Sequence, residues 1–309
     1  MKPNCHPRLA PRPGRRLLAT LGVLCAALVL AGCTGASAKD RGWTIADPLW
    51  SPLPQTRSQA EVARARAVAI AHALGIPGDP SAVRRERDMM YALDYDLVEF
   101  TSAAGDRAEM RLDPETHNPL SIVRLGPPDP SEPKTVTEDA APGRAVALAA
   151  MLGIPLPAGR PSVRWMDGIE GWEVTWTRQI DGYRVMDDGV VIDLTPSGRL
   201  KGLSVWATPS APAPANPISA DRAAELARGI ATERGWTGKP RYTQDQPEMV
   251  WVRGNNFWDP ARSDTREPLL KLAWSVHFSF IAVEGDEPHQ VILWFSAADG
   301  SILGGDQTA

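Results

Sequence analysis

Cysteine is nearly missing from this chain. Of 309 residues only Cys5, Cys25 and Cys33 are cysteine, and the first two lie in a stretch that reads as a cleaved leader. What remains has no internal disulfide and no all-cysteine metal site. Histidine is scarce too, with five residues, and no His-Glu-x-x-His or other helical zinc spacing occurs. There is no glycine-rich phosphate loop; Gly304 and Gly305 stand alone near the C-terminus. No apolar run reaches the roughly 20 residues that a spanning helix needs. Basic charge is in deficit. The net charge is −4, and residues 1–32 hold five cations (Lys2, Arg8, Arg12, Arg15, Arg16) and no acid, so the remainder has 28 basic against 37 acidic side chains, or −9. That excludes general binding to nucleic acid. With 43% apolar and 23% charged residues, the chain is neither disordered nor multi-spanning.

The N-terminus is informative. Arg15 and Arg16 precede a 15-residue apolar run, Leu17 to Ala31, which ends in Leu30-Ala31-Gly32-Cys33. This order of basic flank, short apolar run, small residues and cysteine resembles the bacterial lipoprotein signal. The resemblance implies a signal peptide over 1–32, acylation of Cys33 (a diacylglycerol thioether, with palmitate as a typical chain) and a place in the bacterial cell envelope outside the cytoplasmic membrane. One acyl chain holds a protein only marginally, whereas two or three hold it stably. Residues 33–55 lack periodicity and are expected to be a flexible tether, with an end-to-end distance of roughly 25 Å.

Self-comparison exposes a repeat. Arg66 to Pro77 matches Arg144 to Pro155 at nine of twelve places, 78 residues apart, and Arg222 opens a similar helix another 78 residues on. Each helix precedes a strand-rich stretch that closes in a turn at Asn118, Gly198 or Gly300, residue types that tolerate the left-handed conformation of a tight hairpin. Proline-rich connectors at 125–133 and 209–217 divide the chain into modules at 56–125, 135–207 and 217–309.

Within each module the pattern is one helix and then antiparallel strands, an α+β class. Ser58 to Glu61 has the form of a capping box, and Thr137 and Ser219 are candidate caps for the other helices. Gly75 and Gly153 are helix stops. In module three Leu272, Trp274, Val276, Phe278 and Phe280 alternate with small or polar residues, so one face is expected to meet a core. Trp172, Val174 and Trp176 repeat this in module two. In module one the same reading selects Tyr91, Leu93, Tyr95 and Leu97, leaving Asp94 and Asp96 solvated.

Residues 172–200, through Trp172, Gly182, Val190, Val191, Asp193 and Gly198, resemble the strand region of PepSY-type domains and the related propeptides of thermolysin-like proteases. Module three repeats the ending. The resemblance implies tandem cystatin-like, PepSY-like modules, each a helix packed on an antiparallel sheet. It also implies binding or restraint of a protein partner without catalysis.

Catalytic candidates are weak. Gly202-Leu203-Ser204 lacks the second glycine of a nucleophile elbow and lies in a strand pattern. Asp187-Asp188-Gly189 is read as a hairpin turn in preference to a calcium loop. No catalytic residue, metal site or cofactor is therefore expected. The helix-to-turn distance is 52, 54 and 78 residues in the three modules, so module three carries some 24 extra, placed at about 253–268. Arg253, Phe257, Trp258, Arg262 and Arg266 in that stretch are the aromatic and arginine types favoured at interfaces, and they are the candidate partner-binding residues. The expected function is a non-catalytic envelope lipoprotein that binds or regulates a protein or peptide, such as an envelope protease or sensor. A hydrolase with an unrecognised site and a structural envelope protein are the alternatives. The expected partners are membrane lipid, through acylated Cys33, and an envelope protein or peptide, with no nucleic acid.

Overall fold

The computed structural model describes residues 50–88, 93–126, 131–255, 268–281 and 289–308. Among them are three α-helices and one hydrogen-bonded sheet of fifteen strands, a mixed α+β fold. Strand β1 (Trp50–Pro52) leads into helix α1 (Arg57–Ala73). Strands β2 (Asp79–Pro80), β3 (Arg84–Asp88), β4 (Leu93–Thr101), β5 (Arg107–Leu112) and β6 (Pro119–Leu125) follow. Helix α2 (Ala141–Leu152) precedes β7 (Ser162–Met166), β8 (Gly171–Ile180), β9 (Tyr183–Leu194) and β10 (Leu200–Trp206). Helix α3 (Ala220–Glu233) precedes β11 (Thr243–Gln244), β12 (Glu248–Arg253), β13 (Leu270–Phe280), β14 (His289–Ser296) and β15 (Ile302–Thr308). A helix and then a four-stranded antiparallel meander thus recur three times, as β3–β6, β7–β10 and β12–β15.

The three meanders do not form separate sheets. β6 pairs antiparallel with β10, with Val123 opposite Gly202 and Ile122 opposite Leu203, and β9 meets β12 in parallel at Val185 and Trp251. The expected tether is also shorter than 33–55. Trp50–Pro52 pair with Asp88 to Glu86 as an edge strand, and the Gln55 side chain donates to Asp96.

Helix ends follow local chemistry. Thr56 caps α1 and exchanges hydrogen bonds with Gln59, two residues before the expected box at Ser58; Glu61 instead pairs with Arg57 at 2.9 Å. Ser219 caps α3 as expected, accepting from the Arg222 N–H. Thr137 does not cap α2 with its side chain; its backbone carbonyl accepts from Ala140 and Ala141.

Each helix buries a stripe of alanines four apart: Ala63, Ala67 and Ala71 in α1, Ala141, Ala145 and Ala149 in α2, and Ala223, Ala227 and Ala231 in α3. Small side chains on that face let the backbone lie close to the sheet. α1 and α2 share one core, where Phe100, Met110 and Ile122 join Val174, Trp176, Ile192 and Leu203. α3 covers a second, with Val276, Phe278, Leu293 and Phe295.

A latch recurs where each helix begins. The Trp172 indole donates to the Val136 carbonyl at 2.9 Å, and the Trp274 indole to the Ile218 carbonyl at 2.9 Å. The hairpin glycines lie beneath: a Cβ on Gly198 would stand 2.7 Å from Val136 and 3.3 Å from Arg144, and one on Gly300 would stand 3.3 Å from Ile218 and 2.6 Å from Leu226. Leu226 is therefore the counterpart of Arg144, not Arg222, which lies one helical turn earlier. In the first unit Asp96 holds the place of the tryptophans. It faces Leu112 as Trp172 faces Leu194 and Trp274 faces Phe295. Here the polarity is reversed, since Gln55 donates to the Asp96 carboxylate at 2.8 Å.

That position corrects two expectations. Asp96 is fully buried and shares the helix-facing side with Val98 and Phe100, while Tyr95 and Leu97 point away. Its charge is compensated by the Arg85 guanidinium, bidentate at 2.8 and 3.0 Å. In the turn that follows, His117 (φ 55°) takes the left-handed place of Gly198 and Gly300; Asn118 is one residue late. The His117 N–H bonds to the Asp113 carbonyl as that of Gly300 bonds to Ser296. Asp187-Asp188-Gly189 likewise lies inside strand β9, and the hairpin turn is at Asp181 and Gly182, both with positive φ.

The extra length of the third unit is distributed. Sixteen residues (254–269) join β12 to β13, against four (167–170) between β7 and β8, and fourteen (234–247) separate α3 from β12, against nine (153–161) between α2 and β7. At the sheet's end Asn255 acts like a strand residue. Its side chain bonds both the N–H and the carbonyl of Gly305, at 3.0 and 2.9 Å, and its N–H bonds the Leu303 carbonyl.

Glycine at position 198 answers both to backbone and to space. Gly75→Ala meets nothing within 4 Å at φ 61°, so only the left-handed penalty of about 1–2 kcal/mol is expected. Gly198→Ala adds the collision with Val136 and should unfold at clearly lower urea concentration. Equal midpoints for the two variants would contradict the latch.

Candidate functional site

The pairing of β6 with β10 brings together residues far apart in sequence. Arg124 lies on the helix-facing side of β6, two residues beyond the core residue Ile122, and is half-buried. Lys201 is the extra residue where the β9–β10 register shifts between Leu200 and Gly202. These two cations help to line a cleft of about 590 Å³ between the end of α1 (Gly75, Ile76, Pro77) and the β9–β10 hairpin (Thr195, Pro196, Arg199). Arg107 and Asp106 stand at its β5 side, and Glu132 enters from the connector after β6.

The charges are unevenly satisfied. Glu132 is fully engaged: it accepts from Thr195 Oγ1 at 2.5 Å, from Ser197 Oγ, and from Arg199 at 2.9 Å. Burial alone would raise its pKa, but the hydrogen bonds from Arg199, Ser197 and Thr195, with the charge of Arg199, outweigh this and bring it to about 2. Arg107 lies 3.7 Å from Glu99, outside the cleft, and Lys201 Nζ donates to the Gly126 carbonyl at 3.0 Å. The Arg124 side chain makes no hydrogen bond or ion pair to a described residue. Burial and then the charge of Arg199 lower its pKa, and burial and then Arg124 lower that of Lys201. The nearby carboxylates, Asp106 and Glu132 for Arg124 and Glu132 and Asp193 for Lys201, offset this only in part.

A second polar cluster is structural. Asp188 accepts from the Thr208 N–H (2.6 Å), the Thr208 hydroxyl (2.9 Å) and Arg178 (3.3 Å), and Arg253 Nε donates to Thr208 Oγ1 at 2.8 Å. Arg253, expected on an exposed loop, is instead at the end of β12 and only 8% exposed. Its charge sits beside Asp188 through one shared hydroxyl. Phe257, Trp258, Arg262, Arg266 and Cys33 lie outside the described residues. Nothing in the sequence pattern singles out Arg124 or Lys201, because the pairing that joins them runs between repeats.

On the opposite face of the sheet, Asp193 packs against Gly202, where a Cβ would stand 2.6 Å from its carboxylate. It faces Glu173 across the strands, and Glu173 is held by Arg164 at 2.7 and 2.9 Å. Burial, followed by the charge of Glu173, raises the Asp193 pKa to about 7. Among the described residues no group of three or more His, Cys, Asp or Glu is arranged to hold a metal, and no helix is long and apolar enough to cross a membrane.

No protein-family model matches this chain, and neither does any curated protein. Among solved structures it is similar to the C-terminal domain of Bacillus megaterium YpeB, at 12% identity and a TM-score of 0.40, over 84% of this chain and 99% of that one. A likeness that distant says nothing about what this chain binds.

The Asp193 geometry has a pH signature. Its pKa is raised on folding, from an ordinary 3.8 to about 7, so the folded state binds the extra proton and stability falls as pH rises between about 4 and 7. Asp193→Asn should therefore melt higher than the parent at pH 8, and the gap should close by pH 4. A gap independent of pH would mean that Asp193 is ionised throughout.

Proposed function

We propose that the chain is a non-catalytic envelope lipoprotein made of three PepSY-like modules that binds or regulates a protein or peptide partner. The cleft between the first two units is the observation that carries the binding reading. Packing requires apolar side chains there, not a half-buried arginine whose side chain meets no hydrogen-bond or ion-pair partner among the described residues, and such groups are unfavourable unless something compensates them. The modular reading is supported by the three helix-plus-meander units and by the latch of Trp172 and Trp274 over Gly198 and Gly300. The lipoprotein reading rests on Cys33 and the residues before it.

A hydrolase is the second reading, and one observation favours it. Asp193 is a carboxyl that titrates near neutrality beside a second carboxylate, Glu173, the arrangement that general acid–base catalysis uses. If that reading holds, Asp193→Asn abolishes hydrolysis across a panel of fluorogenic esters and peptides that the parent protein cleaves.

Two measurements test the first reading. Mass spectrometry of the protein purified from its native membrane should find Cys33 as the first residue, carrying acyl chains; an unmodified start before Cys33 removes the lipoprotein claim. A photo-crosslinking residue placed at Arg107, at the cleft, should capture a membrane or periplasmic protein in intact cells. The same residue placed at Val62, exposed on α1, should not. Equal labelling from both positions would overturn the binding reading.

A further inference from the structure

We propose that the cleft between the end of α1 and the β9–β10 hairpin recognises an acidic peptide segment, with Arg124 and Lys201 binding its carboxylate. The proposal rests on the binding reading above and adds the chemistry of the partner. Among the described residues, four cations line the cleft (Arg107, Arg124, Arg199, Lys201) against two carboxylates, Asp106 and Glu132. Glu132 is already held by three donors, and Asp106 accepts from Ser102 at 3.1 Å. A positive cleft on a chain of net charge −4 is a local field opposed to the whole, and it focuses anions at one place.

The remaining lining selects among anions. Ile76, Pro77, Leu125, Ile169 and Pro196 supply apolar wall, and no aromatic side chain is among the described lining residues. A nucleotide base would find no ring to stack on, and stacking carries much of the affinity for single-stranded nucleic acid. A free phosphate would leave the apolar wall wet. An aspartate or glutamate next to an aliphatic residue satisfies both parts, and a volume of about 590 Å³ lies in the range of pockets that enclose small ligands. Arginine presents a planar fork to a carboxylate, and lysine adds a point charge.

Isothermal titration of the full chain tests this with three probes. These are an end-blocked hexapeptide alternating glutamate and leucine, its glutamine–leucine counterpart, and inorganic phosphate. The glutamate peptide should bind, weaken as salt rises, and lose about tenfold or more in affinity with Arg124→Gln or Lys201→Gln, the effect expected for one charge-assisted hydrogen bond. The glutamine peptide should bind at least tenfold more weakly. Arg124→Gln should leave the melting temperature unchanged or raise it, since it removes a like charge from Lys201 and Arg199; this separates lost binding from lost folding. Equal binding of both peptides, unchanged affinity in both variants, or binding of phosphate in preference to the glutamate peptide would overturn the proposal. Capture at position 107 that survives Arg124→Gln, with no peptide binding, would sink the acidic-peptide assignment and leave the binding reading intact. Peptide binding without any cellular capture would keep the acidic-peptide assignment and remove the claim that an envelope protein is the partner.

Discussion

The antiparallel pairing of β6 with β10 is a short contact between two strands that each close a four-stranded meander. Much of the rest depends on it. By laying the last strand of one meander against the last strand of the next, it continues a single sheet and puts α1 and α2 on the same face. The cores beneath them then merge, so Met110 and Ile122 lie in one cluster with Ile192 and Leu203. A unit of this size buries only a modest share of its surface alone, and the shared core relieves that limit. The cleft is a by-product of the same contact, because two strand ends and two loops meet where α1 stops and α2 begins.

The connectors are less free than their proline content implies. Glu132 fastens the first to the β9–β10 hairpin, and the backbone N–H groups of Thr135 and Val136 both bond the Pro196 carbonyl. Thr208 fastens the start of the second by relaying between Asp188 and Arg253. In each case a short polar side chain with several partners replaces the apolar contact that a proline-rich segment cannot supply. Removing one partner of such a buried charge is expected to be more damaging than removing an exposed ion pair.

Much of the architecture was legible where a residue type has a single physical use. Glycine in the hairpins, serine before α3 and the alternation through Trp172 and Trp274 all read correctly, because each answers to a local rule. The failures have equally local causes. An alanine stripe looks the same after a shift of one helical turn, so the sequence pattern aligns Arg222 with Arg144, whereas Leu226 is its counterpart. In β4 both faces contain apolar residues, and alternation alone cannot choose Val98 and Phe100 over Tyr95 and Leu97. The deciding fact, that Arg85 compensates a buried Asp96, lies on a neighbouring strand. The cleft was out of reach for a similar reason: Arg124 and Lys201 are 77 positions apart, and only strand pairing between repeats joins them.

Asn255 has a consequence for association between copies. A terminal strand such as β15 offers a row of unmet backbone groups on which another chain could grow. Here a side-chain amide occupies the donor and the acceptor of Gly305, and its oxygen fills the space that a Cβ at position 304 would need. At Leu303 and Gly305 this edge is thereby closed by a residue of its own chain. A strand from another copy could pair with Gly305 only by displacing Asn255 first.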